Sequence, residues 1–439
     1  MSYRRHAETR PSQIEWVNRL PVHWEEKRLR FVADISNSNV DKKSYNDQVS
    51  VRLCNYTDVY YNEVIAPDLD FMEATASQAE IKKFGLRAGD VIITKDSEDP
   101  RDIGVPAFVQ EDMPGVVCGY HLSIIRTSDP ITAEYVQFSI MSHLNKARLY
   151  VDTPGVTRFG LDQDTIKNIL VLLPPPDERR QIVRRLRSET AEIDGLIEKK
   201  TRFIALLKEK RAAVITHAVT KGIDPDAPMK DSGVDWLGRV PAHWEVVPPT
   251  ALFTESKERA REGDQMLSAT QKYGVIPLAE YEALEQRHVT MAVVNLNMRK
   301  HVEVGDFVIS MRSMDGGLER ARAVGSVRSS YSVLKPGPDV EGRFYGALMK
   351  SSLYIQALRL TSNFIRDGQD LNFGHVRKVK LPKPDLREQA AIADHIEAET
   401  ARIDGLIALT ERSIDLLREK RAALITAAVT GKIDVRAAA

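Results

Sequence analysis

Little in this 439-residue sequence is typical of a secreted or membrane protein. Its two cysteines, Cys54 and Cys118, have a spacing that suggests neither a disulfide framework nor a metal site, so we expect reduced thiols in the core. No apolar run approaches the roughly 18 residues that cross a membrane, and the first residues lack the apolar segment of a signal peptide. We therefore expect a cytoplasmic protein with no membrane partner.

Motifs for enzyme chemistry are also missing. The sequence contains no glycine-rich phosphate loop, no glycine-rich turn suited to a dinucleotide or adenosyl cofactor, and no tetrapeptide of the amino-methyltransferase type. We expect no catalytic residue, no metal ligand and no cofactor bound by this chain. Lys plus Arg equals Asp plus Glu at 62 each, so overall charge does not indicate a partner, and only local clustering can.

What the sequence does contain is a duplication. The segments IDGLI, EKRAA and AVT occur near the middle of the chain and again near its end, at the constant offset of 210 residues. In each copy apolar residues recur at steps of three or four alternating with steps of seven, which predicts a coiled-coil seam. The seam residues are Ile182, Leu186, Ile193, Ile197, Ile204, Leu207, Val214 and Ala218 in the first copy and Ile392, Ile396, Ile403, Ile407, Ile414, Leu417, Leu424 and Ala428 in the second.

The pattern predicts a helix over about Asp177–Thr220, ended by Gly222, and an equivalent helix ended by Gly431. The residues between the two helices suffice for a globular domain, whose ends usually lie close together. Parallel helices would force those ends roughly 66 Å apart, so we expect an antiparallel pair. The alternative is that each helix is only a core helix of its own domain.

A second duplication begins each globular part. IEWVNRLPVHWE matches VDWLGRVPAHWE at an offset of 220, and the four tryptophans of the protein all lie in these two segments. We interpret them as an apolar clip that seats each domain against its helix; bases stacking on the tryptophans are the alternative. The clip residues are Trp16, Pro21, His23 and Trp24 in the first copy and Trp236, Pro241, His243 and Trp244 in the second.

The sequence therefore predicts four regions: a domain at 1–173, a helical region at 174–224, a domain at 225–383 and a helical region at 384–439. Alternating patterns predict strands at Val49–Leu53, Val91–Thr94, Val105–Val109, Val116–Ile125, Asp306–Ser310 and Ser330–Leu334, and helices at Thr132–Tyr150 and Val340–Leu358. Between these elements the two domains diverge. Loops on a rigid frame usually carry recognition, so we expect two sites of the same kind with different specificities.

Positively charged and amide side chains on these loops are the candidates for DNA contacts. Arg, Gln and Asn read guanine and adenine edges, while Lys binds phosphates. The candidates in the first domain are Lys95, Arg101, Arg126, Thr157 and Arg158. Those in the second are Lys272, Arg299, Arg312, Arg320, Arg322, Arg366, Gln369 and Asn372.

The repeated helices, the two-fold duplication and the segment Thr220–Val246 closely resemble the specificity subunit of type I restriction-modification systems. The resemblance implies an α+β fold with two globular α/β-mixed target-recognition domains separated by two long antiparallel coiled-coil helices. The arrangement is pseudo-two-fold symmetric and circularly organised. Each domain would read one half of a split, asymmetric DNA target, without catalytic activity of its own.

The resemblance also implies partners for this chain. These are double-stranded DNA, two methylation subunits docked on the helices, and restriction subunits in the larger complex. S-adenosylmethionine, ATP and Mg would then be bound by the partner subunits. The alternative function is a non-catalytic protein-binding scaffold with two arms on a coiled-coil brace.

Overall fold

The computed structural model describes residues 4–437 except 13, 15–16, 154, 156, 290–297, 311–312 and 362–370. The chain forms two compact units. Unit 1 comprises residues 1–200 together with 412–439, and unit 2 comprises residues 201–411. Among the described helices, none combines the length and apolar character that a membrane crossing needs.

Unit 1 is a mixed α/β structure. Its strands are β1 Thr9–Pro11, β2 Arg19–Pro21, β3 Glu25–Arg28, β4 Ala33–Asn37, β5 Val49–Cys54, β6 Val64–Ile65, β7 Met72–Ala76, β8 Asp90–Thr94, β9 Asp96–Ser97, β10 Pro106–Val109, β11 Val116–Cys118, β12 Leu122–Thr127, β13 Phe159–Gly160 and β14 Leu170–Leu173. Its shorter helices are α1 Tyr56–Tyr60, α2 Gln78–Phe84, α3 Pro130–Met141, α4 His143–Asp152 and α5 Gln163–Lys167. The main sheet has the order β4-β12-β8-β10-β6, and a second sheet has the order β11-β5-β7.

The chain then enters the long helix α6, Pro176–Lys221, and continues into the strands and short helices of unit 2. These are β15 Met229–Asp231, β16 Arg239–Pro241, β17 Glu245–Val247, β18 Phe253–Ser256, β19 Leu267–Thr270, β20 Gly274–Pro277, α7 Leu278–Glu285, β21 Lys300–Val302, β22 Phe307–Ile309, α8 Ser313–Gly316, β23 Glu319–Arg320, β24 Gly325–Val327, β25 Ser332–Pro336, α9 Gly342–Met349, α10 Ser352–Leu360, α11 Phe373–Val376 and β26 Leu381–Lys383. The second long helix, α12, is Leu386–Val429.

Unit 2 repeats the frame of unit 1. Its sheet has the order β18-β25-β22-β23, which corresponds strand for strand to β4-β12-β8-β10, and the neighbouring strands are antiparallel in both. In each unit a two-stranded ribbon, β3–β14 or β17–β26, immediately precedes a long helix. The frame is therefore duplicated in three dimensions as well as in sequence.

The long helices are antiparallel within each unit. In unit 1, Glu178 near the start of α6 lies 3.7 Å from Arg436 beyond the end of α12, and Asp194 further along α6 binds Arg421 at 2.9 Å. In unit 2, the Nε of Arg211 donates to Asp404 at 2.9 Å, and the later residue Gly222 lies against the earlier residue Glu388. In both units, later residues of α6 therefore lie beside earlier residues of α12, as expected for an antiparallel pair.

Packing of the seam explains why these helices are so long. None of the sixteen predicted seam residues is exposed, and Ile182, Leu186, Ile392 and Ala428 are at most 2% exposed. Because the stripe stays buried, tertiary packing stabilises each helix well beyond the usual globular length. Gly222 and Gly431 have φ of 77° and 67°, the left-handed conformation that ends a helix.

Each of the two shorter predicted helices is in fact a pair of helices. Thr132–Tyr150 divides into α3 and α4 at Ser142, and Val340–Leu358 divides into α9 and α10 at Ser351. Both serines have extended backbone, and each hydroxyl accepts a hydrogen bond from the amide three residues later. A serine inside an apolar stretch thus acts as an N-cap, which competes with continuation of the preceding helix.

The predicted strand Val116–Ile125 is likewise two strands, in different sheets. β11 pairs with β5, whereas β12 joins the main sheet. The division lies at Gly119, where a β-carbon would approach the carbonyl oxygen of Cys54 to 2.8 Å. Both cysteines are free and fully buried, as expected for core thiols.

Each unit has an ion pair between its globular domain and a long helix, but the acidic and basic partners are exchanged between the two units. In unit 1, Arg187 of α6 pairs with the buried Glu134 of α3. The equivalent helix position in unit 2 is Glu397, which pairs with Arg343 of α9 at 3.1 Å. Arg187 and Glu397 occupy equivalent positions, 210 residues apart, so the two units have the same ionic contact with its charges exchanged.

Replacing Arg187 with alanine is expected to destabilise unit 1 by about 1–3 kcal/mol at pH 7, because a buried carboxylate loses its partner. Burial raises the pKa of Glu134, and Arg187 opposes that rise. The contribution of a carboxyl with a raised pKa is present at low pH and is lost as pH rises through that pKa. The loss of unfolding free energy in Arg187→Ala should therefore be larger at pH 7 than at pH 5, as measured by urea unfolding monitored by circular dichroism.

Glu397→Gln provides the matched control. Glu397 is 59% exposed, so its loss should cost no more than about 1 kcal/mol at either pH. Adding Glu134→Gln to the Arg187→Ala variant should recover most of the lost stability. Equal, pH-independent losses from Arg187→Ala and Glu397→Gln would show that the burial of Glu134 has no energetic consequence.

Candidate nucleic-acid interface

The clip of unit 1 lies beside the start of α6 and the end of α12. Glu178, in the first turn of α6, accepts a hydrogen bond from the indole nitrogen of Trp24 at 3.2 Å and contacts His23 at 2.7 Å. Trp24 is 2% exposed, and together with Pro21 it packs against Gly431 at the end of α12. The clip thus joins the start of the domain to the start of one helix and the end of the other.

Unit 2 repeats this clip, but there the clip lies beside the start of α12 and the end of α6. His243 contacts Glu388 at 2.8 Å, and Trp244 and Pro241 pack against Gly222 at the end of α6. Trp236 packs edge-on against Tyr354, with ring centroids 5.9 Å apart. Its counterpart Trp16 lies outside the described residues. With Trp24 and Trp244 almost fully buried, both indoles are engaged in packing.

Unit 1 contains a cleft of about 760 Å³, here called the tyrosine cleft. Its lining residues are Lys42, Asn55, Tyr56, Thr57, Tyr60, Tyr61, Asp96, Ser97, Glu98, Asp99, Asp102, His121, Thr157 and Arg158. Tyr56 and Tyr60 are stacked 5.5 Å apart, and Tyr61, 77% exposed, lies edge-on to Tyr60. Aromatic, amide and guanidinium groups therefore share one concave surface with four carboxylates, so the cleft offers stacking and hydrogen-bonding groups beside charges of both signs.

Two of the predicted residues, Thr157 and Arg158, lie in the tyrosine cleft. The guanidinium of Arg158 is 58% exposed and donates to Asp96 at 3.1 Å, and its contacts with Tyr120 and, next, Asp96 raise the pKa of Arg158. Asp96 also contacts His121. Arg158 is thus a permanent cation, held at the rim by a carboxylate that a phosphate could replace.

The other three candidates of unit 1 are bound to their own domain. Arg101 is exposed but forms a bidentate ion pair with Asp99. Arg126 binds Asp90 and the carbonyl oxygens of Lys83 and Gly85, away from the cleft. Lys95 donates to the carbonyl oxygen of Ser38, and burial lowers the pKa of Lys95.

In unit 2 the structure brings three candidates together around the turn between β19 and β20, here called the hairpin face. Lys272 in that turn is 72% exposed, lies over the Tyr273 ring and pairs with Glu285. Arg320 and Arg322 lie on the segment beside β20, whose Val275 forms a bridge with Ala321. Arg322 is exposed, whereas the Nε of Arg320 is buried without a hydrogen-bond partner among the described residues.

The remaining candidates of unit 2 are elsewhere. Arg299 is 8% exposed and its guanidinium donates to the hydroxyl and carbonyl oxygens of Ser326. Asn372 is exposed and caps α11 by accepting from the amide of Gly374. Arg312, Arg366 and Gln369 lie outside the described residues.

Sequence reasoning missed the tyrosines of the cleft. The run YTDVYY places three tyrosines within Tyr56–Tyr61, and α1 directs this run to the same cavity as Arg158, about a hundred residues later in the chain. The local density of tyrosine was a usable signal, since exposed aromatic clusters mark interaction surfaces. Its proximity to Arg158 depends on tertiary structure alone.

Comparison with known proteins gives a consistent result over nearly the whole chain. The chain is 20% identical to a putative type I restriction enzyme specificity subunit, MjaX, of Methanocaldococcus jannaschii, covering 96% of both proteins. Its fold matches a chain from a structure on complex assembly and conformational transition of the type I R-M system, with 17% identity, a TM-score of 0.67 and coverage of 94% and 99%. It also matches an HsdS subunit from Thermoanaerobacter tengcongensis, with 16% identity, a TM-score of 0.52 and coverage of 94% and 98%.

No protein-family model matches the chain. The similarities nevertheless confirm the resemblance to type I restriction enzyme specificity subunits that the sequence motifs predict. They also confirm the predicted fold class, with its mixed domains and long antiparallel helices.

Proposed function

We propose that this chain is the DNA sequence-recognition subunit of a type I restriction-modification complex in the cytoplasm. It reads a split, asymmetric duplex sequence, with one half-site for each globular domain. The main observation in its support is that the two units share one arrangement of strands and helices but differ in the surface that would contact DNA. The clip, the sheet order and the long helices recur, whereas in the described part of the chain the tyrosine cleft of unit 1 is built around the YTDVYY run and the hairpin face of unit 2 around Lys272, Arg320 and Arg322.

The chemistry of both faces suits duplex DNA. Arg158 and Lys42 in the cleft, and Lys272 and Arg322 on the hairpin face, supply cations for phosphates or guanine edges. Tyrosine hydroxyls and Asn55 add neutral hydrogen-bonding groups. Because the net charge of the chain is zero, much of the phosphate contact would come from partner subunits.

The long helices are the proposed docking surface for two methylation subunits. Apolar side chains stay exposed on them, including Leu196 and Leu416 in unit 1 and Leu206 and Leu409 in unit 2. Exposed apolar patches of this kind mark protein interfaces. The partners would bring S-adenosylmethionine, and restriction subunits of the larger complex would bring ATP and Mg, so this chain supplies specificity and no catalysis.

The proposal is tested by purifying the chain with its methylation subunits and assaying methyl transfer into a random-sequence DNA library. Modification confined to one split motif is the expected result. Assembly with partners but modification without sequence preference would favour the alternative, a protein-binding scaffold. Methylation by this chain alone would contradict a non-catalytic role.

A further inference from the structure

Three metal-ligating side chains from distant parts of unit 1 converge beside the clip. His6, His23 and Glu178 each present a donor atom, and these atoms lie within 4.8 Å of one another. The Nε2 of His23 is 2.7 Å from one carboxylate oxygen of Glu178, and the Nε2 of His6 is 3.9 Å from the other. Donor atoms on tetrahedral zinc lie roughly 3.4 Å apart, given bond lengths of about 2.0–2.2 Å. The His23–Glu178 separation is shorter than this value and the His6–Glu178 separation is longer.

His6 is the residue that clip packing leaves unexplained. Its side chain is 2% exposed, and its ring nitrogens lie 3.8 Å from Asp434 and 3.9 Å from Glu178, too far for a hydrogen bond to either carboxylate; its other polar contact is with the backbone of Ile433. Burying an imidazole with so few polar contacts is costly, and native structures rarely do so without a reason.

The surrounding groups are arranged as an outer shell. The Oδ2 of Asp434 lies 3.8 Å from the Nδ1 of His6, the ring nitrogen that remains when Nε2 binds a metal. Metal-bound histidines usually present the second nitrogen to such a carboxylate. The indole of Trp24 donates to Glu178 at 3.2 Å and orients that carboxylate.

One cation faces this cluster. Arg436 lies 3.7 Å from Glu178 and forms an ion pair with Asp434 at 2.9 Å. Two carboxylates against one guanidinium leave a net negative charge, which a divalent ion would offset.

We propose that His6, His23 and Glu178 form a binding site for a divalent transition metal of the zinc class, with water as the fourth ligand. Two imidazoles and one carboxylate match the ligand preferences of zinc. The metal would hold the segment containing His6 against the clip and the start of α6. This inference is independent of the proposed function.

Unit 2 offers a matched control. His243 and Glu388 repeat the pair formed by His23 and Glu178, but the residue equivalent to His6 in sequence is Asp226. The histidine–glutamate pair therefore exists there without a second imidazole.

The test is a titration of the metal-stripped full chain with zinc chloride by calorimetry, followed by Co²⁺ absorption spectroscopy. We expect one zinc per chain, a tetrahedral Co²⁺ spectrum, and a rise of about 5 °C in melting temperature with excess zinc. His6→Gln and His23→Gln should each weaken binding more than about tenfold, whereas His243→Gln should leave it unchanged.

The absence of a zinc site in the wild-type chain would overturn the proposal. It would also be overturned if His23→Gln, folded by circular dichroism, bound zinc as tightly as the wild type. His23 is 36% exposed, so His23→Gln should fold. Its zinc affinity then tests the proposed site even if His6→Gln does not fold.

Discussion

Replacing Trp24 with alanine is expected to lower the free energy of unfolding of unit 1 by about 3–5 kcal/mol. The indole is 2% exposed and contacts both the end of α12 at Gly431 and the start of α6 at Glu178. Its loss creates a cavity and removes a hydrogen bond to a carboxylate that is 5% exposed. The measurement is urea unfolding, with hydrogen exchange of unit 1 amides to localise the effect.

Trp244→Ala tests the same claim in unit 2. Its indole is fully buried, but its nitrogen has no hydrogen-bond partner among the described residues, so only packing is lost. Exchange should then accelerate in unit 2. If Trp24→Ala cost less than about 1 kcal/mol, the clip would be peripheral to folding rather than part of its core.

Under the proposed function, the two half-sites are separated by base pairs that neither domain reads, and we propose that the long helices set the length of this spacer. Inserting seven residues into each long helix is then expected to lengthen the spacer by about three base pairs. Seven helical residues add roughly 10.5 Å, and base pairs rise about 3.4 Å each. A heptad spans two turns, so the seam remains in phase. Methylation of the original motif should fall more than about a hundredfold, because mispositioned half-sites cannot be bound together.

The insertion after Lys200 in α6 must be matched by one after Asp415 in α12, which preserves the antiparallel register. An insertion into one helix alone is the control, and it should disrupt folding rather than change the spacer. Methylated-base mapping on a random library reports both half-sites and spacer. An active double insertion that kept the original spacer would contradict a role of the helices in setting the distance.

The long helices were predictable because their information is local and duplicated. Seam residues such as Ile182, Leu186 and Ile193 follow one another at intervals of four and seven residues, and the same spacing recurs 210 residues later. The breaks at Ser142 and Ser351 were not predicted, because a capping serine looks like any polar residue within a helical pattern. Gly119 was similarly ambiguous, since the split of one apolar run into two sheets depends on a close approach to Cys54.

The candidate site was less predictable than the frame. Arg299 and Arg158 are both loop arginines in sequence, yet one is buried against Ser326 and the other lines a cleft. That difference arises from tertiary contacts, which no local pattern encodes. The same is true of His6, whose neighbours Glu178 and Asp434 come from opposite ends of the chain.

Under the proposed function, each domain reads its own half of a split DNA sequence. The most direct measurement is a methylated-base map of a random DNA library, made with the complete methylation complex containing wild-type chain, Arg158→Ala or Arg322→Ala. We predict that Arg158→Ala relaxes or weakens one half of the motif and Arg322→Ala the other half, each by about 1–3 kcal/mol of discrimination, with the spacer unchanged. A map in which either variant altered both halves equally, or in which the wild type showed no split motif, would contradict the account.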